Sequence, residues 1–161
     1  MTRQIPKQYW KFYPPEHLAQ RDEQIVRENA SSTPSYFETL RRIALQRCNE
    51  FTSVNEELEI VRSQILIEAL STAKNGGLEL ILTPDANGIV SDEQLLNYAS
   101  LPTQRKYQET RREAEMRLRI AAYLVATYNQ QLNYYADFFS DAPHIVNEPN
   151  IRNLKSSFTI S

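Results

Sequence analysis

The chain has 161 residues, with 18 Lys and Arg against 20 Asp and Glu and a net charge of −2. That length supplies one core without cross-links, and the balanced charge leaves no whole-molecule field for nucleic acid or an anionic membrane. Three glycines argue against a Rossmann fold, a P-loop protein or a turn-rich sandwich, and a single cysteine excludes an intramolecular disulfide and fits a reducing compartment.

The first feature is "QYWKFYPP", which places Tyr9, Trp10, Phe12 and Tyr13 just ahead of Pro14 and Pro15. We read residues 1–14 as an extended aromatic arm, because consecutive prolines stiffen the chain and oppose regular structure. Pro15 to Ala30 predicts a short helix with Leu18, Ile25 and Val26 as its apolar positions, and proline suits its first turn. "SSTPS" then breaks the chain and supplies capping side chains.

Residues 35–74 carry the first strong signal. Phe37, Leu40, Ala44, Phe51, Val54, Leu58, Val61 and Ile65 recur at steps of three and four, with Arg47 as the polar interruption. Such spacing lays one stripe along a helix that packs on a partner at a shallow, coiled-coil-like angle. "NGG" at 75–77 is a helix stop. Residues 78–90 read as a small loop or β-hairpin, with Pro84, Asp85, Asn87 and Gly88 supplying the turn. Ser91 followed by Gln94 has the spacing of a capping box and opens a short helix.

A second long helix is expected over 102–140. Its stripe is Tyr107, Ala114, Leu118, Ala121, Val125, Tyr128, Leu132, Tyr135 and Phe139, with Arg111 interrupting. Residues 141–161 lack helical periodicity and read as an extended tail. The fold class is therefore all-α: an elongated antiparallel helical hairpin, residues 35–74 against 102–140, with short accessory helices and arms at both ends. The organisation is an aromatic arm (1–14), a helical domain (15–140) and a C-terminal tail (141–161). Folding the hairpin back brings Glu57 near Arg119, and sets Glu57, Glu59 and Glu68 against the basic start of the second helix.

The chemistry-bearing inventory is thin. His17 and His144 lie in separate segments without metal-ligand neighbours, Cys48 lies beside the helix stripe, and no nucleophile elbow, glycine-rich phosphate loop or HExxH occurs. No catalytic residue, metal or cofactor is expected, and the protein is read as a non-enzyme. Residues 83–94 can be laid on a calcium loop with Asp85, Asn87 and Gly88 at ligand and turn positions. Thr83 and Gln94 then stand where acidic ligands are needed, which favours a purely structural turn. Arg105, Lys106, Arg111, Arg112, Arg117 and Arg119 form a basic run that supports an alternative reading as a nucleic-acid-binding helical adaptor; the acidic residues beside it favour a solvated helix face.

The anomaly is excess apolar surface. Ile120 to Tyr128 is apolar nearly all round, and "YYADFF" adds rings, whereas the part of the first helix that would face it is polar. The cover is either the chain's own N-terminus or a second copy or other protein, with a shallow small-ligand pocket at Tyr123, Tyr128 and Tyr135 as a lesser alternative. A similar surplus at Ile60 to Leu70 is expected to pack under the 78–90 loop and the short helix after it. The candidate interface is Tyr9, Trp10, Phe12, Tyr13, Ile120, Tyr123, Leu124, Tyr128, Tyr134, Tyr135, Phe138 and Phe139. The expected function is structural: a protein-binding or self-associating subunit of an oligomer or larger assembly, such as a phage or virion particle. "MTRQIPKQYW" has no signal-peptide core and Ile120 to Ala126 is too short to span a bilayer; the expected place is the cytoplasm or a virion-type particle, not the secreted fraction.

Overall fold

The computed structural model describes residues 2–76 and 82–134. Among them every regular element is helical: a short 3-10 helix at Lys7–Phe12, then α1 (Pro15–Asn29), α2 (Thr33–Gly76), α3 (Asp92–Leu96) and α4 (Leu101–Tyr134). The all-α helical hairpin expected from the stripes is thus present, with α2 and α4 as its long members. α2 starts two residues early because Pro34 fits a first helical turn, where the missing N–H has no acceptor anyway. Ser32 Oγ accepts from the Ser35 amide at 3.3 Å and caps that end. Residues 135–140, the expected end of the second helix, and the tail to 161 lie outside the described residues.

The chain divides into two compact units, and α2 and α4 each contribute to both. The first unit contains residues 2–52 and 115–134. Here α2 and α4 run antiparallel: Phe37 meets Tyr128 with ring centroids 6.4 Å apart, while Glu50, further along α2, meets Arg117, earlier on α4, at 3.0 Å. Its core joins Phe37, Leu40 and Ala44 of α2 to Ile120, Leu124, Tyr128 and Leu132 of α4, and to Leu18, Ala19 and Val26 of α1. α4 is apolar on two faces because it has two partners, and α1 is the second. Each fully buried Leu or Ile contributes about 1.5–3 kcal/mol relative to exposure.

Trp10 belongs to the same core. The arm expected to be extended instead winds into a 3-10 helix over Lys7–Phe12, and the prolines bound it: Pro6 stands at its N-cap and Tyr13 ends it in extended conformation. Pro14 carries the extended backbone onward, and its carbonyl accepts from His17 at 3.0 Å as α1 begins.

The second unit contains residues 53–76 and 82–114. Leu58, Val61, Ile65 and Ala69 of α2 are buried here, with Leu96, Ala99, Tyr107 and Ala114. No strand occurs among the described residues of the 78–90 segment; 77–81 lie outside them. Residues 82–91 form a loop closed by the Asp85 amide donating to the Ile89 carbonyl at 2.9 Å. Gly88 takes φ +78°, which an L side chain rarely adopts.

Two local expectations are corrected. Gln94 does not close a capping box over Ser91; its amide reaches back and clamps Thr83, accepting from the Thr83 amide at 2.6 Å and donating to the Thr83 carbonyl at 2.9 Å. Arg119 pairs with Glu16 of α1 rather than with Glu57, and Glu59 pairs with Arg62 on its own helix. The acid of α2 that faces the basic run in the first unit is Glu50.

Candidate interaction surfaces

In the first unit, an ion cluster is built around one ring. Arg47 lies on the inward stripe of α2, so its guanidinium points at α1, where Asp22 lies between Leu18 and Val26 on the buried face. The two meet bidentately, Nε to Oδ2 at 2.9 Å and Nη2 to Oδ1 at 3.0 Å, with both side chains under a tenth exposed. Nη1 of Arg47 also donates to Glu50 at 2.9 Å, and Glu50 receives Lys7 and Arg117 as well. The Trp10 ring lies among these cations, with the guanidinium carbon of Arg117 4.5 Å and that of Arg47 5.2 Å from its centroid. Cation–π attraction favours that placement. The indole Nε1 donates to the Ile5 carbonyl at 2.7 Å.

This wiring sets the titration of the cluster. Burial pushes the Glu50 carboxyl up, but the hydrogen bond from Lys7 and the field of Arg47 outweigh it and hold it below the usual range. Burial opposes charge on Arg47, and its hydrogen bonds to Asp22 reverse that and raise its pKa. A recess of about 340 Å³ beside the cluster is lined by Gln4, Ile5, Lys7, Trp10, Arg21 and Asp22, among others.

The expected interface residues divide. Trp10, Ile120, Leu124 and Tyr128 lie in the core, each 5% exposed or less, so the cover for Ile120 to Tyr128 comes from the chain's own α1 and Trp10. Tyr128 is inside that core, and Tyr123 is half-buried against it. Tyr9, Phe12 and Tyr13 are exposed, with Tyr13 stacked on His17 at 5.6 Å; Tyr134 is 81% exposed at the end of α4. Tyr135, Phe138 and Phe139 lie outside the described residues.

The basic run divides too. Arg117 and Arg119 pair with Glu50 and Glu16 in the first unit, and Arg111 pairs with Glu93 at 2.6 Å in the second. Arg105, Lys106 and Arg112 are exposed on α4.

In the second unit, α3 is fastened by a half-buried polar triad. Asp92 Oδ2 accepts from Arg62 Nε at 2.7 Å and from the Tyr107 hydroxyl at 3.1 Å. Burial, then the charges of Asp92 and Glu93, push the Tyr107 phenol well above its ordinary value. Glu68 of α2 serves the start of α4, accepting from the Ser100 amide at 2.9 Å and from the Thr103 hydroxyl. Hydrogen bonds from Ser100 and Thr103 hold its carboxyl down to about 2. In the 82–91 loop, Asp85 Oδ1 accepts from the amides of Asn87 at 2.8 Å and Ile89 at 3.0 Å, so this acid organises the turn itself. Among the described residues no group of three or more His, Cys, Asp or Glu could hold a metal ion.

The surface that sequence reasoning misplaced is the outer side of α2. Ile60, Ile67 and Leu70 are 69%, 60% and 56% exposed, and Leu66 is 46% exposed. At 100° per residue Ile60, Ile67 and Leu70 lie opposite the buried stripe of Leu58, Val61, Ile65 and Ala69, and Leu66 lies on the flank between the two. The expected cover by α3 does not reach these side chains, because α3 is tied to the Arg62 and Tyr107 side. A signal was present: Glu56, Ile60, Ser63, Ile67, Leu70 and Lys74 step by four and three, a second heptad seam diluted by polar residues.

Among the described residues no helix is long and apolar enough to cross a membrane. No protein-family model, curated protein or solved structure matches the chain.

Proposed function

We propose that the protein acts by associating with protein chains, as a structural subunit of an assembly, and that it docks through the outer side of α2. The observation that carries this reading is the exposed aliphatic set Ile60, Leu66, Ile67 and Leu70 on a helix whose other side is fully buried. A helix that needs one partner shows one apolar stripe; a second stripe implies a second partner. The exposed rings of Tyr9, Phe12 and Tyr13 offer a further contact on the first unit.

The test places a photo-crosslinking side chain at Gln64, beside the stripe, in cells that make the full chain. Capture of a protein chain that is lost on Ile67→Asp supports the reading. Absence of any intermolecular product, or one indifferent to Ile67→Asp, overturns it. Because Ile67 is exposed in the single chain, the substitution leaves the thermal midpoint within a degree or two of wild type at concentrations too low for association, as surface changes usually stay within about 0.5 kcal/mol.

The nucleic-acid reading has less behind it, since Arg111, Arg117 and Arg119 already face carboxylates. It would return if the chain shifted DNA or RNA in a low-salt gel with steep salt dependence.

A further inference from the structure

We infer that the occupant of the outer α2 stripe is the same stripe of a second copy of this chain, running antiparallel about a two-fold axis. The inference rests on the reading of α2 as a docking face and names its partner. Written as a heptad seam, Glu56, Ile60, Ser63, Ile67, Leu70 and Lys74 alternate steps of four and three, and all are exposed. An antiparallel seam sets the first core position of one heptad opposite the second core position of the partner's. Centred between Ser63 and Ile67, it brings Glu56 against the partner's Lys74, Ile60 against the partner's Leu70, and Ser63 against the partner's Ile67. The small side chain meets a large one, aliphatics meet aliphatics, and both ends of the seam close with opposite charges.

The flanking positions agree. Gln64 faces its own counterpart, where two amides can exchange hydrogen bonds, and Leu66 faces its own counterpart, adding apolar area on that edge. Glu57 comes opposite the partner's Ser71 and Glu59 opposite the partner's Ala73, so no like charges meet. A parallel, in-register pair would instead set Glu56 on Glu56 and Lys74 on Lys74. Like charges across a seam are disfavoured. The charge order therefore selects both the partner and the direction: a two-fold pairing is self-complementary only in the antiparallel sense.

The experiment is a charge-reversal cycle on the full chain, with dimerisation followed by sedimentation over a range of concentrations. Glu56→Lys and Lys74→Glu each set like charges together at both ends of the seam, and each is expected to weaken dimerisation about tenfold. The double variant Glu56→Lys/Lys74→Glu restores opposite charges and is expected to return within about threefold of wild type. Ile67→Asp abolishes dimerisation. A double variant as weak as the singles, or charge changes without effect on an Ile67-dependent dimer, overturns the antiparallel pairing but leaves α2 as the docking face. A chain that stays monomeric while Gln64 crosslinks a different protein overturns self-pairing alone. Crosslinking of Gln64 to residues 135–161 of its own chain overturns both, since the stripe would then have an internal cover.

Discussion

The guanidinium of Arg117, on α4, stands 4.5 Å from the ring centroid of Trp10, in the 3-10 helix near the start of the chain. The contact makes the aromatic stretch part of the first unit's core. The ring supplies apolar area to the core it shares with Leu18 and Leu40 and a π-face to Lys7, Arg47 and Arg117, which themselves neutralise Asp22 and Glu50. A group with both properties is hard to replace.

Trp10→Ala removes the ring and exposes that charge cluster to water on one side. The expected loss of stability is about 3–5 kcal/mol, within the range for truncating buried Trp or Phe. Trp10→Phe keeps a π-face but forfeits the hydrogen bond to the Ile5 carbonyl, and is expected to cost less, about 1–2 kcal/mol. Urea denaturation followed by circular dichroism checks both, because the substitutions remove the only tryptophan. A Trp10→Ala midpoint equal to wild type would show the ring to be dispensable.

Arg47 and Asp22 form an ion pair buried in the core of the first unit. Arg47→Met leaves the Asp22 carboxylate in the core without its bidentate partner, and about 3–5 kcal/mol is expected to be lost. The double variant Asp22→Leu/Arg47→Met removes both charges and is expected to be more stable than Arg47→Met alone. A double-mutant cycle in urea measures this, and strictly additive losses would argue against coupling of the two groups.

Acid stability follows from Glu50 and Glu68. Both carboxyls are held below the ordinary value of 4.5, Glu68 at about 2. A lowered folded pKa favours the native state above the unfolded value, and that contribution is lost as pH falls through the folded value. Glu68→Gln is therefore expected to reduce stability at pH 6–7, by at most about 1 kcal/mol because the carboxylate is solvent-screened. The gap between variant and wild type should close as pH falls from 4.5 towards 2. Thermal melts across that window check the sign.

The Gln94 side chain holds the loop by both ends of its amide. Gln94→Ala is expected to speed hydrogen exchange at the Thr83 amide by about tenfold, the worth of one such bond, while α2 amides stay unchanged. Residue-resolved exchange reads both. Equal rates at Thr83 would mean that the clamp contributes nothing to holding the loop.

The helices were legible because burial writes its period into the sequence. Phe37, Leu40, Ala44, Phe51, Leu58, Val61 and Ile65 were marked by spacing alone, and all are buried. The pairing of α2 with α4 was less so, since helix register is set by connection length and by which side chains fit. Hence Glu50, not Glu57, faces the basic run. Arg47 read as an interruption, although Leu18, Asp22 and Val26, at steps of four, place an acid on α1's inward face. The two prolines after the aromatic stretch pointed to an extended arm. Instead Pro6 and Pro14 stand on either side of a 3-10 turn, because the pull of a buried indole outweighs local stiffness. The apolar surplus at Ile60 to Leu70 was legible, but its division into an inner and an outer stripe was not, because Ser63 and the terminal charges hide the outer period.

The connectivity of the units bears on how the protein is made. Residues 53–114 form a continuous run, whereas the first unit needs partners as distant as Glu16 and Arg119, which are 103 residues apart. On the ribosome α1 and the start of α2 emerge first and then wait, for some seconds at ordinary elongation rates, until residues 115–134 are synthesised. Through that interval Trp10 lacks the Arg117 side of its enclosure and Leu18 and Leu40 lack α4. The nascent N-terminal third is thus an apolar surface open to chaperones, and α4, translated well after it, is the helix that closes it.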